Sequence, residues 1–234
     1  MLDLQGYGPS LIEGAWLTVQ VALLSLALAC ALGMVTALAK LYGRRPLRWA
    51  ATLYTTVIRS IPDLVLMFLI YFGGQRLVND LAASAGYQGY IDVSALTAGI
   101  VGIGFIYGAY MAETFRGAVM AVPAGQLEAG HAYGMSAWQV FTRILLPQMV
   151  RHALPGFGNN WLVLLKTTAL VSVIGLDDLV HKAGLAASAT RLPFTFYTAV
   201  ALAFLAFTTV SMVLLRWLER RYSAGFEGHD GLMS

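Results

Sequence analysis

Three stretches of this chain, 14–39, 93–112 and 192–215, run without a single Asp, Glu, Lys or Arg. About 20 mostly apolar residues are enough for a helix to cross the hydrocarbon core of a bilayer. Each stretch is therefore expected to span one. Two more apolar stretches are interrupted. "ATLYTTVIRSIPDLVLMFLIYFG" (51–73) holds Arg59, Pro62 and Asp63, and "ALPGFGNNWLVLLKTTALVSVIGL" (153–176) holds Asn159, Asn160 and Lys166. The pieces flanking Pro62 are too short to cross alone, so each interrupted stretch counts as one span. The chain is expected to be all-α, with five transmembrane helices. Its 58% hydrophobic and 12% charged residues agree, since soluble domains carry roughly a quarter charged residues.

The cations give the orientation. Lys40, Arg44, Arg45 and Arg48 fall between spans one and two; Arg116, Arg143 and Arg151 between three and four; Arg216, Arg220 and Arg221 after five. The other side has only Arg76, Lys182 and Arg191, offset by Asp80, Asp92, Asp177 and Asp178. Positive residues mark the cytoplasmic side, which places the N-terminus outside and the C-terminus inside. Five spans give this result and four would not. A net charge of +3 is too small to suggest nucleic acid. The single cysteine, Cys30, has no partner for an internal disulfide or a metal site and reads as a small buried hydrophobe. Asp3 and Glu13 open the chain without a basic region, so no cleavable signal peptide is expected. No room is left for a soluble catalytic domain, no metal-ligand spacing occurs, and the polar tail from Ser223 to Ser234 is expected to fray.

On the cytoplasmic side lies "LEAGHAYGMSAWQVFTRILLPQ" (127–148), the least membrane-like long stretch. Pro123 and Gly125 are expected to end the helix before it, Gly134 and Ser136 to break it into two short helices, and Pro147 to close the second. Ser136 has the chemistry of an N-cap. Trp138, Phe141, Ile144 and Leu145 recur at helical spacing. Such an apolar face suits either a helix lying on lipid or one docking into a groove of a soluble partner, and periodicity alone does not choose.

Residue spacing does. Glu128-Ala129-Gly130, three residues, Gly134, nine residues, then Ile144-x-Leu146-Pro147 resembles the E-A-A-x3-G-x9-I-x-L-P signature of the membrane subunits of binding-protein-dependent ABC importers. Gly130 stands where that signature usually has alanine, a change worth roughly 1 kcal/mol of helix propensity. The resemblance extends from about Gly14 to Tyr222 through "RSIPDLVLMFLIYFG", "FIYGAYMAETFRGAVMAVPAGQLEAG" and "LPGFGNNWLVLLKTTALVSVIGLDDL". These are similar to the polar and basic amino-acid branch, nearest to its Q-type histidine and lysine/arginine/ornithine permease subunits.

The resemblance implies a type I importer-like transmembrane domain over 14–222, a cytoplasmic tail over 223–234, and residence in the bacterial cytoplasmic membrane. It also implies that 127–148 forms coupling helices seated on an ATPase, with two ATPase subunits inside and a solute-binding protein outside. The second membrane subunit is expected to be a homologue, forming a heterodimer. The chain has no G-x-x-x-x-G-K-[ST] loop, so ATP and its Mg are expected on the ATPase and no cofactor on this chain. In this reading Gly134 lets the two short helices meet closely, while Glu128 pairs with a cation or caps the partner's backbone. A turn glycine and a solvated acid are the structural alternatives.

Charged groups at bilayer depth are functional candidates by default. Asp63 follows Pro62, which interrupts a helix, and broken helices at the midplane commonly build transporter substrate sites. A carboxylate there suits a cationic substrate; the alternative is simple neutralisation of Arg59 or Lys166. Asn160 and Thr167 are two turns apart and share one helix face, a second part of the path unless they only pack helices. Lys166 is expected to pair with an acid or hold a substrate carboxylate. Glu113 and Arg116 are spaced to pair across one turn. Tyr107 and Tyr110 read as core or groove lining, Trp49, Trp217 and Tyr222 as interface anchors, and His131 as a surface residue.

The function expected is the membrane-spanning subunit of an ATP-driven importer for amino acids, chiefly basic ones: arginine, histidine, lysine, ornithine or an opine. The subunit is expected to translocate without being an enzyme. A membrane scaffold that recruits a soluble partner and a stand-alone secondary transporter are the rival classes.

Overall fold

A computed structural model describes residues 4–223, and no strand occurs among them. Five of its helices are long and apolar enough to cross a membrane, as the charge-free runs require. The helices are α1 (Gly8–Tyr42), α2 (Arg45–Ser60), α3 (Asp63–Ser84), α4 (Ala95–Met120), α5 (Ala124–Ala132), α6 (Ala137–Val140), α7 (Leu146–Thr167), α8 (Leu179–Thr190) and α9 (Pro193–Ser223). A π-turn (Phe141–Leu145) joins α6 to α7, and a 3₁₀ segment (Thr168–Ile174) follows α7.

The core is built on α1 and α4. Along α1 the buried residues Ala22, Ser25, Ala29, Gly33 and Ala37 form a stripe of small side chains. A Cβ on Gly33 would lie 2.6 Å from the Met111 Cβ, and one on Gly104 would lie 2.7 Å from Leu28. Small residues let helix backbones approach in lipid, where packing rather than water exclusion drives association. Sixty-one per cent of the most apolar window of α4 is buried, against 11% for α3 and 6% for α9. Hence α4 is the centre of the bundle, and α3 and α9 are its outer faces.

One end of the bundle, here the basic end, is tied by charge. Glu113 of α4 pairs with Lys40 of α1 and, at 2.9 Å, with Arg116 one turn on. Lys40 also donates to Thr55 of α2 at 2.6 Å. The expected Glu113–Arg116 pair is present, and Lys40 joins it although the sequence suggested only a loop cation.

Several expected boundaries move. The first crossing helix spans 8–42 rather than 14–39, and the last reaches past 215, so Arg216, Arg220 and Arg221 sit on its final turns. The stretch 51–73 is not one interrupted span: the crossing helix is α3, which begins at Asp63, and α2 is a separate helix. The cause is Pro62, which disfavours helical backbone in the residue before it; Ile61 is extended at φ −104°, ψ 139°. The fourth span covers 137–174 instead of 153–176, because Pro147 does not close a helix but sits in the first turn of α7. Proline removes the N–H that would bond the Arg143 carbonyl. The π-turn just before it, closed by the Leu146 N–H on the Phe141 carbonyl, widens the helix and carries it past. Gly125 lies inside α5 rather than at a break. The tail residues 224–234 lie outside the described residues.

Between the fourth and fifth crossing helices, α8 folds back against α1 and α9. Asp178 caps it, accepting the His181 N–H at 2.8 Å, and Leu179 donates to Thr18 of α1. Asp178 is 1% exposed, and its Oδ2 has no partner among the described residues. It lies between the membrane-spanning segments, and burial pushes its carboxyl from 3.8 up to about 6. A raised folded-state value means the folded chain binds more protons than the unfolded chain between about pH 4 and 6. Stability therefore falls as pH rises through that window and stays lower above it, by about 3 kcal/mol. Asp178→Asn keeps a capping oxygen and loses the charge. The variant is expected to melt above wild type at pH 7.5, with the gap closing near pH 4 in thermal melts of the purified protein.

Candidate translocation path and docking segment

The break at Pro62 places Asp63 at the start of α3 with its side chain toward α4. Asp63 Oδ2 accepts from the Tyr107 hydroxyl at 3.3 Å, and that hydroxyl lies 2.6 Å from Thr167 Oγ1. Tyr107 stands midway along the 26 residues of α4. Asp63, the first residue of α3, is thus level with the middle of the central crossing helix. An acid in the first turn of α3 is favoured by the helix dipole. Asn160 faces the same helix, donating to Thr114 Oγ1 at 2.9 Å. Asn160 and Thr167 share one side of α7, and that side packs on α4.

Neither neutralising partner suggested for Asp63 engages it. Arg59 lies over the Tyr110 ring at 5.3 Å. Lys166 is exposed, on the same stripe of α7 as Asn159 and Val163, and forms no ion pair among the described residues. The structure therefore brings Asp63 and Thr167 together through Tyr107, places Asn160 two turns away, and sets Lys166 apart. Tyr107 is the residue sequence reasoning undervalued. Its hydroxyl bridges three helical segments, and an aromatic with a polar tip in an otherwise apolar run was the only sign of it.

The candidate docking segment folds as α5, a tight turn and α6. Gly134 has φ +80°, and its N–H bonds the His131 carbonyl while Met135 N–H bonds the Gly130 carbonyl. This is a Schellman ending. Ser136 then caps α6 reciprocally with Gln139, whose side chain accepts the Ser136 N–H at 2.9 Å, a capping box. A Cβ on Gly134 would touch nothing, so close helix contact is not its role; the left-handed turn is. Close contact occurs instead at Gly130, where a Cβ would lie 2.6 Å from the Ile144 Cδ1 and 3.1 Å from Val140. The glycine that departs from the signature thus seats α5 on the next helix. Leu146 lines an apolar cavity of about 580 Å³ behind the segment, and Pro147 is exposed. Glu128 and Ala129 are exposed. So are Tyr133 and Trp138, at 89% and 71%, with Trp138 stacked on Phe141 at 5.6 Å between centroids.

The chain is all-helical among its described residues, with five helices long enough to cross a membrane, a polar line beside a broken helix, and a turn bearing exposed aromatics. The chain matches the binding-protein-dependent transport system inner membrane component family over residues 29–224 and belongs to it. Within that family it is 48% identical to the Escherichia coli histidine/lysine/arginine/ornithine transport system permease protein HisQ, over 97% of this chain and 99% of the relative. It is 40% identical to the octopine transport system permease protein OccQ of Rhizobium radiobacter, over 95% and 94%. The arginine ABC transporter permease protein ArtQ of Haemophilus influenzae is also 40% identical, over 91% and 93%. A solved amino acid ABC transporter with histidines superposes with TM-score 0.79 at 32% identity, over 94% of this chain and 99% of that one. The methionine transporter MetNI, at 18% identity and TM-score 0.70, shares the fold.

The two glycines should respond differently to alanine. Gly134→Ala is expected to cost about 1–2 kcal/mol from the left-handed backbone. Gly130→Ala is expected to stay within about 1 kcal/mol of wild type, because gained helix propensity offsets the shift of one terminal methyl of Ile144. Denaturation of the two purified variants measures both.

Proposed function

We propose that this chain is the membrane-spanning subunit of an ATP-driven, binding-protein-dependent importer of basic amino acids. The substrates are arginine, histidine, lysine, ornithine or an opine. The observation that carries the reading is the Asp63 carboxylate at a broken helix, level with the midpoint of α4 and held by Tyr107. A fixed anion at that depth favours a cationic side chain, and the names of the relatives agree in substrate class.

The basic end faces the cytoplasm in this proposal, by the distribution of cations. There Glu128, Ala129, Gly130, Gly134, Ile144, Leu146 and Pro147 form and support the turn on which an ATPase subunit sits, with Trp138 and Phe141 as its apolar contact. Two ATPase subunits bind ATP and Mg. A homologous second membrane subunit completes the path as a heterodimer, a solute-binding protein delivers substrate from outside, and the assembly resides in the bacterial cytoplasmic membrane.

Helical backbone is continuous from Ala137 through the π-turn to Thr167, a rod of about 46 Å. One end carries the docking aromatics, and the other carries Thr167, bonded to the tyrosine that holds Asp63. Displacement of the docked turn is passed to the wall of the path along this helix, whose backbone stays helical through Pro155. Alternating access needs such rigid transmission.

Uptake by the reconstituted complex, with arginine, histidine, ornithine and glutamine in competition, tests the site. Asp63→Asn removes a charged hydrogen-bonding partner and is expected to lower uptake of the cationic amino acids about tenfold or more, with glutamine competing better than before. An unchanged preference order removes Asp63 from the path.

A further inference from the structure

Between Asp63 and the basic end, α1, α2 and α4 enclose a polar cleft of about 430 Å³ whose lining includes Lys40, Thr55, Arg59, Tyr110 and Glu113. Ligand pockets commonly fall in this size range. The charges inside are unbalanced. Both oxygens of Glu113 are already engaged, one by Lys40 and the other by Arg116. Arg59 adds a further cation, and among the described residues no carboxylate lies within ion-pair distance of it. Its contact is the face of Tyr110, 5.3 Å from the ring centroid.

Depth makes this arrangement informative. Tyr110 is ten residues before the end of α4 at Met120, about 15 Å along the helix axis. A guanidinium there is disfavoured against lipid and belongs on an aqueous path. The cluster of Lys40, Arg59, Arg116 and Glu113 carries two net positive charges, and the uncommitted one is a planar fork suited to a carboxylate. Every α-amino acid carries such a group. Arg59 and Asp63 lie four residues apart, on either side of the break at Pro62, and meet Tyr110 and Tyr107 of α4 respectively.

We propose that this cleft is a carboxylate station on the exit side of the path. Arg59 holds the α-carboxylate of the transported amino acid there through its guanidinium fork, with Tyr110 backing the fork. The assignment rests on the transport function proposed above and adds the group by which the common part of the substrate is recognised. Asp63 reads the cationic part, and Arg59 reads the part shared by all amino acids.

The test compares arginine with agmatine, which is arginine without its carboxylate. Binding of each to the purified membrane complex in nanodiscs, with no binding protein present, is measured by competition against labelled arginine. Wild type is expected to bind arginine about tenfold or more tightly than agmatine. Arg59→Gln is expected to bring arginine down to the agmatine level while leaving agmatine unchanged. Asp63→Asn is expected to weaken both, and Arg59→Lys, keeping charge without the fork, to restore part of the gap. Equal affinities in wild type, or a gap that survives in Arg59→Gln, overturn the station. ATP-dependent arginine uptake by wild-type proteoliposomes separates the two readings. Uptake together with either of those results rejects the station alone, whereas absence of both uptake and binding rejects the transport function and the station with it.

Discussion

The close approach of α1 and α4 governs the rest of this structure. Gly33 lies against the Met111 backbone and Gly104 against Leu28, leaving no room for a Cβ at either place. Because α1 and α4 are this close, Lys40 can reach Glu113 across them, and α2 is drawn in through Thr55. The helix breaks at Ile61–Pro62, and α3 continues along α4 past Tyr107 to Gly102, where Met67 packs. The position of Asp63 thus combines this local break with the packing that holds α2 on α1 and α4.

A second constraint acts from the other side of α4. The α7 helix packs there through Asn160 on Thr114 and Thr167 on Tyr107. Since α7 is continuous with α6 through the π-turn, the polar line and the turn at Gly134–Ser136 lie at the two ends of one stretch of helical backbone. The turn is also rigid by local means: a Schellman ending at Gly134, a capping box at Ser136, and Gly130 seated on Ile144. In the proposed function this turn is the driven end of a lever, and such an end needs this absence of slack. In the proposed importer, ATPase closure would act on such a lever.

Much of this was legible beforehand, residue by residue. Pro62 announced a backbone break because a proline restricts its predecessor whatever surrounds it. Ser136 announced a helix start because capping is a contact within four residues. Two other expectations, at Pro147 and Gly134, did not hold. Pro147 did not end its helix, since a π-turn absorbed the missing donor. Gly134 was expected to bring helices together, and that contact belongs to Gly130, whose neighbour Ile144 lies beyond the turn. The α8 helix escaped notice because its apolar positions are mostly alanines, too weakly hydrophobic to stand out, though they pack on Phe196 and Leu11.

From its sequence alone, this chain is an all-helical protein with five membrane crossings, a break before Asp63, and a polar, aromatic-bearing turn after the third crossing. These are properties of composition and local backbone chemistry, which short segments carry with them. Only the tertiary structure decided who meets whom. Asp63 binds Tyr107 at a separation of 44 residues, and Tyr107 meets Thr167 at a separation of 60. Glu113 takes Lys40 as well as Arg116, while Arg59 and Lys166 are left without acids among the described residues. Such pairings depend on the rotation and crossing of each helix against its neighbours. Side-chain packing along shared faces sets those angles, and hydropathy does not record them.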